Sequence, residues 1–311
     1  MSEVAINKIP APTWNWLHMN EAKLSGEAAA VIQMPTETEE FAIEDHTKMA
    51  EPLRLSFEYT EDWQELSCYE IKVGEESEAV ILMDFFSQPE VSATAAVRVH
   101  YDIGKNGKLT IVQTHRLGRG VTFISDITGD VEERASFNLI QVVLGGHKTY
   151  LGCTNELIGR HAALDIKLAY LVQNEDSLDI NYVSNQIGKK TESNIKVNGV
   201  LRDKAEKLFR GSIDFKRGCA GSTGAEIEDV LMMDEGVVNK TIPLILCAEE
   251  DVEGTHGATI GKLSDEMMFY LRSRGIPEDE IYEMMARARI DAISTEIPDE
   301  VTRNLISDFL N

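Results

Sequence analysis

Residues 163–201, ALDIKLAYLVQNEDSLDINYVSNQIGKKTESNIKVNGVL, decide the fold. Three short segments, ALDIKLAYLV (163–172), LDINYVS (178–184) and NIKVNGVL (194–201), alternate apolar and polar residues at the period of two that turns one side of a strand into a core. Between them stand Asn, Asp and Gly, the residues that close tight corners. Working outward toward the N-terminus, the same unit recurs as FNLIQVVL (137–144), FISDI (123–127), KLTIVQTHRL (108–117), TAAVRVHYDI (94–103) and AVILMDFF (79–86). No amphipathic helix of crossover length separates these units, which excludes a doubly wound α/β sheet and makes the chain mainly β. A sandwich, a closed barrel and a parallel β-helix each bury one face of repeated short strands, so periodicity leaves all three open.

The pattern changes toward both ends. Residues 1–52 carry Pro10, Pro12 and Pro35, the tryptophans Trp14 and Trp16 and an acidic run from Glu37 to Glu44, and are expected to form an N-terminal arm whose tryptophans pack over an exposed core end. Residues 53–254 are the strand-rich core, and 255–311 are expected to be helical. Ser264 reads as the N-cap of a first helix over 265–274, which Gly275 ends. Pro277 starts a second helix, with Ile281, Met284, Met285, Ala288 and Ala292 on one apolar face. A third starts at Pro298 and places Glu300 in its first turn, where the helix dipole favours a carboxylate.

Composition narrows the function classes. At 311 residues and 43% hydrophobic content the chain can build a substantial core, and its formal charge of −23 repels phosphate backbones and disfavours sequence-independent nucleic-acid binding. No apolar run of membrane-spanning length and no signal-peptide pattern is present, so a cytoplasmic protein without membrane attachment is expected. The four cysteines, Cys68, Cys153, Cys219 and Cys247, are too far apart for a CxxC zinc site or a disulfide framework and fit a reducing compartment. GATIGKLS (257–264) is one residue too short between its glycines for a P-loop and carries Leu263 where Ser or Thr is needed. No nucleotide is expected to bind this chain, and no GxSxG, HExxH or GxGxxG motif marks it as an enzyme.

One block is far more specific than the strand pattern. Cys247–Gly275, CAEEDVEGTHGATIGKLSDEMMFYLRSRG, joins the strands to the helical tail through a histidine-bearing turn, with Gly254 and Gly257 flanking Thr255 and His256. The run His256, Gly257, Ala258, Thr259, followed by Phe269, Tyr270, Leu271, Arg272, Ser273, Arg274 and Gly275, resembles the SufB/SufD family, the scaffold subunits of the SUF iron-sulfur cluster assembly machinery. The resemblance continues through Glu296, Ile297, Pro298, Asp299 and Glu300. It implies a right-handed parallel β-helix core, capped at its ends by the arm and the helices. It also implies a non-enzymatic scaffold for a transient iron-sulfur cluster, of the [4Fe-4S] type, working with a SufC-type ABC ATPase in a 2:2 complex and delivering clusters to apo iron-sulfur proteins. The C-terminal helices would dock the ATPase, through Arg272, Arg274, Met284, Met285 and Arg287.

A cluster scaffold needs soft thiolates and further nitrogen or oxygen ligands in a labile arrangement. Cys219, in DFKRGCAGSTGAE, has Lys216 and Arg217 beside it to lower its pKa and glycines that permit close approach. The alternative is a small buried hydrophobe in a strand corner. Cys247 stands second, and Cys68 and Cys153 are expected to be core residues. By resemblance, His256 matches the SufD histidine of cluster assembly and Glu300 the SufB glutamate. The chain departs from the family at Leu271, where SufB carries a cysteine, and at Gly254, where SufD often does. Those departures leave Cys219 as the replacement thiol of a compact single-scaffold version. Two other readings stay open at this stage: a β-helix enzyme acting on carbohydrate through paired carboxylates, and an adaptor that regulates an ATPase without holding a cluster.

Overall fold

The computed structural model describes residues 3–13, 15–60 and 63–310, so Trp14 lies outside the described residues. Sixteen strands wind into a parallel β-solenoid in which consecutive strands fall in opposite sheets. One sheet holds β3 (Thr38–Ile43), β5 (Trp63–Val73), β7 (Ser92–Ile103), β9 (Gly120–Val131), β11 (Lys148–Leu157), β13 (Ser177–Gln186), β15 (Glu206–Phe215) and β17 (Val238–Cys247). The facing sheet holds β4 (Leu53–Tyr59), β6 (Glu78–Ser87), β8 (Lys108–Arg116), β10 (Ser136–Val143), β12 (Ala163–Val172), β14 (Glu192–Leu201), β16 (Ser222–Met232) and β18 (Val252–Gly261). Neighbours within a sheet are offset by between 26 residues, as Thr122 against Lys148, and 32, as Glu206 against Val238. Strand pairing therefore reaches from Thr38 to Gly261, beyond 53–254 on both sides.

Alternation explains why these segments become solenoid strands. Inward residues of successive coils stack in register and form one continuous core, in which the rings of Phe57 and Phe85, and of Phe85 and Phe123, lie 4.6 Å apart. At one corner Glu76, Asn106, Arg134, His161 and Lys190 all take positive φ, so each coil turns at the same place and the next can stack on it. His115 is drawn into this core, between Phe85 and Phe123, with neither ring nitrogen hydrogen-bonded among the described residues. Burial drives its pKa down to about 3.

The terminal segments cover faces, where caps over the solenoid's ends were expected. A strand pair, β1 (Val4–Ile6) and β2 (Ala22–Leu24), and the short helix α1 (Gly26–Val31) lie on the outside of the odd-numbered sheet, where Leu24, Ala29 and Val31 meet Leu66, Ala96 and Ile124. Asn7 and Arg210 fasten the arm, through Asp179 and the Met19 carbonyl. Trp16 is 71% exposed and does not pack over a core end. At the other terminus, α2 (Asp265–Ser273), α3 (Glu278–Ser294) and α4 (Glu300–Phe309) follow β18. The outward residues Leu82, Val112, Ile140, Val142 and Ala169 of the even-numbered sheet receive Ile290, Ile293, Ile297 and Ile306.

Helix α3 turns a different stripe inward from the one expected. Its buried residues are Ile281, Ala286, Ile290, Ile293 and Ser294, while Met284, Ala288 and Ala292 are exposed. The β-branched Ile290 and Ile293 outcompete the alanines for a flat sheet surface by burying more apolar area, and the methionines by losing less rotamer freedom. The third helix starts two residues later than Pro298, at Glu300, with Asp299 as the N-cap.

Candidate functional site

The motif His256–Thr259 lies within strand β18, so it is extended backbone rather than a turn. β17 and β18 form the last coil and are the edge strands of their sheets. Every residue of β18 is exposed or half-buried, because no further coil stacks on it. The inward residues of this coil thus look out of an open lumen.

Cys219 sits in the corner between β15 and β16, fully buried beside Ile213 and Phe215. Burial pushes its pKa up, only partly offset by a hydrogen bond with Ser222, where a lowered value was expected from Lys216 and Arg217. The two cations are engaged elsewhere: Lys216 pairs with Asp214, and Arg217 faces Glu249, whose carboxylate accepts from the Gly218 N–H at 2.9 Å.

Cys247 is exposed and closes β17 in register with Phe215, one coil beyond Cys219. The two corners are tied by hydrogen bonds from the Gly221 N–H to the Asp251 carbonyl (2.6 Å) and from the Ala248 N–H to the Phe215 carbonyl (2.8 Å).

His256 lies on the same coil but apart from the thiols. A Cβ at Gly254 would stand 3.0 Å from Ile245 Cγ2, so these two residues face each other across the lumen. Cys247 is two residues from this level toward the corner and His256 two residues away from it, a separation of about 13 Å along the strands. Glu300 follows the N-cap Asp299, which holds Arg54 of β4 with two guanidinium–carboxylate hydrogen bonds. β4 and β18 are opposite edges of one eight-stranded sheet, seven strand spacings or roughly 34 Å apart. The fold therefore gathers Cys219 and Cys247 at one corner, keeps His256 on the same final coil, and puts Glu300 at the far end. Among the described residues no group of three or more His, Cys, Asp and Glu side chains is arranged to hold a metal ion.

A polar cluster inside the last coils escaped notice in the sequence. In β16, Gly224, Glu226, Glu228 and Val230 point inward, whereas Ile227 is 57% exposed. The signal was present in AEIEDV (225–230), where Glu226 and Glu228 alternate with Ala225 and Ile227 and share the inward parity of Val230. Lys207 and Glu228 form a wholly buried ion pair, and the Thr241 hydroxyl donates to Glu228 at 2.8 Å. Burial lowers the Lys207 pKa; it also pushes Glu226 up to about 8, helped by the Glu228 charge and opposed by Lys207.

The expected docking face is exposed. Helix α2 buries none of its residues, and Phe269 is 76% exposed. Arg274 lies 5.2 Å over the Tyr270 ring, Arg272 pairs with Glu278 at 3.4 Å, and Arg287 donates to Ser307 at 2.7 Å. Met284 is exposed and Met285 half-buried. These side chains hold the helices in relation to one another while leaving an aromatic and thioether surface outward.

Residues 64–289 match the family model described as "SUF system FeS cluster assembly, SufBD core domain". The chain is 27% identical over 208 residues to the iron-sulfur cluster assembly protein SufD of Bacillus subtilis, covering 66% of this chain and 47% of that protein. It is 30% identical over 172 residues to SufB of the same organism, covering 54% of this chain and 36% of SufB. To an iron-sulfur cluster assembly SufBD family protein of Mycobacterium tuberculosis it is 30% identical over 149 residues, 48% of this chain and 18% of that relative. The match thus spans less than half the length of each of these relatives.

Proposed function

The chain belongs to the SufBD family of the SUF iron-sulfur cluster assembly system, and from that premise we propose that it is a scaffold on which a transient cluster is built and handed on. The observation that carries this reading is the open last coil, where the Cys247 thiol and the His256 imidazole are exposed on free edge strands, with the buried Cys219 in the corner one coil inward. Iron-sulfur clusters require thiolate ligands, and labile release requires that the ligands be reachable from solvent. The cluster is cargo here, of the [4Fe-4S] type. Because the thiols and His256 are about 13 Å apart on one chain, the ligand set is completed where the last coils of two copies meet edge to edge. Glu300 does not join that set, since it lies at the opposite end of the solenoid from β18.

A SufC-type ABC ATPase is the partner for the exposed surface of α2 and α3, through Phe269, Tyr270, Arg272, Arg274, Met284, Met285 and Arg287, in a 2:2 complex. Movement driven by ATP in that partner opens the corner at Cys219, whose burial and raised pKa keep it a closed thiol at rest. Apo iron-sulfur proteins are the acceptors.

The test is anaerobic reconstitution of the complex with ferrous iron and sulfide, reading visible absorption and iron content. Cys219→Ser, Cys247→Ser and His256→Ala are expected to lose cluster, and Glu300→Ala to keep it. Retention of iron and sulfide at the parent level by all of the first three would end the scaffold reading and leave an adaptor that only regulates the ATPase.

A further inference from the structure

We propose that Glu226 and His256 form a half-site for a divalent first-row metal, iron(II), one coil inside the open end of the lumen, which receives the metal before it meets the thiols. This rests on the scaffold reading for the identity of the metal, but its geometry is independent of the cysteines. β16 and β18 are parallel and in register, with Glu226 beside His256. Neighbouring residues in such a pair lie about 4.8 Å apart, close enough for a carboxylate and an imidazole to share one ion. Both belong to the inward set, which Gly224 and Gly254 define by their contacts across the lumen.

Glu226 is the unusual member. It is 4% exposed, yet it makes no hydrogen bond and no ion pair among the described residues. Its neighbour Glu228 has taken both Lys207 and Thr241. The fold makes room for it across the lumen at Gly211, where a Cβ would stand 2.0 Å from the Glu226 carboxylate. Toward the inner coils it stacks on the buried Ile195. Toward the open end, Gly211 is in register with Pro243, which has no N–H to offer, and Glu226 itself with His256. Among the described residues, His256 is thus the polar residue that the register of the last coil sets beside Glu226. Lys207 is taken by Glu228 and acts on Glu226 only from a distance, and a cation shared with His256 supplies the direct partner that a buried carboxyl group otherwise lacks. Carboxylate and imidazole suit iron(II) and its neighbours, and two protein ligands leave positions open for water, sulfide or groups from a second copy.

The full chain, without the ATPase and without sulfide, is titrated anaerobically with cobalt(II), whose d–d absorption reports ligand number and geometry, and with iron(II) in competition. The parent is expected to take one ion per chain at this site. Glu226→Gln and His256→Ala should each weaken it at least as much as the ~10–100-fold that losing a supporting group around a metal costs, while Glu300→Ala, at the opposite end of the solenoid, leaves it unchanged. His256 is exposed, so its variant keeps the fold even where the Glu226 variant does not. Cobalt affinity equal to the parent's in either His256→Ala or a folded Glu226→Gln overturns the half-site. The two proposals fail separately: a normal cobalt site in Glu226→Gln beside cluster loss in Cys247→Ser removes only the half-site, and the reverse pattern removes only the thiol scaffold.

Discussion

At the residue scale, burial separates four cysteines that look alike in sequence. Cys68, Cys153 and Cys219 are buried and Cys247 is exposed, with the Cys153 thiol pushed up to about 12 and that of Cys219 raised. Alkylation needs an accessible thiolate. Brief treatment of the apo-protein with iodoacetamide near pH 8 should therefore place one adduct per chain, at Cys247, by peptide mass spectrometry; prompt modification of Cys219 would mean that its corner is open at rest. His115 offers a second check. Unfolded, it takes a proton near 6.5, but folded it refuses one down to about 3, so the unfolded chain binds more protons between these values and stability falls as pH drops through that window. His115→Leu removes this penalty. Between pH 7 and 4.5 the parent should lose about 2–3 kcal/mol more than the variant, at roughly 1.4 kcal/mol per pH unit, in urea unfolding followed at both pH values. Equal losses would mean that the ring is not enclosed.

At the element scale, helix α4 hangs on one carboxylate. Asp299 accepts from the Thr302 N–H at 2.7 Å as N-cap while holding Arg54 of β4, and the hydrogen bonds from Arg54 hold its pKa down at about 2. Because the folded value lies below the ordinary 3.8, its contribution is complete above about pH 4 and is lost as pH falls toward 2. Asp299→Ala should destabilise by about 1–2 kcal/mol. Hydrogen exchange over 300–309 should accelerate and that of the inner strands stay unchanged. The cap at Ser264 and the breaks at Gly275 and Pro277 were legible because caps depend on local residues alone. The inward stripe of α3 was not: with apolar residues at 281, 284, 285, 286, 288, 290, 292 and 293, several faces fit a helical period, and only the sheet surface beneath selects the isoleucines.

At the scale of the whole molecule, strand alternation and the closing motif were enough for the parallel solenoid, because each coil repeats one local rule. The arrangement of the site was beyond them. Residues 219 and 247 fall in adjoining corners because they are one coil apart, whereas 256 and 300 separate because the helices run back across the sheet toward β4. Such distances depend on how coils stack, which no spacing along the chain encodes. Stacking also leaves β17 and β18 as edges, and unpaired edge strands invite pairing with another chain. Each copy carries −23, so joining two last coils brings large like charges together, and this repulsion is screened as the Debye length falls from about 10 Å at 0.1 M salt to about 3 Å at 1 M. Light scattering behind size exclusion should therefore show a dimer that tightens as sodium chloride rises, the opposite of an interface held by ion pairs. Ala258 lies exposed on β18 with the inward parity of His256. A lysine there sets an ammonium group in the lumen mouth, a device that blocks edge pairing, so Ala258→Lys should be monomeric at every salt concentration with an unchanged melting temperature. A dimer of parental affinity in that variant would show that the copies meet somewhere other than at the last coil.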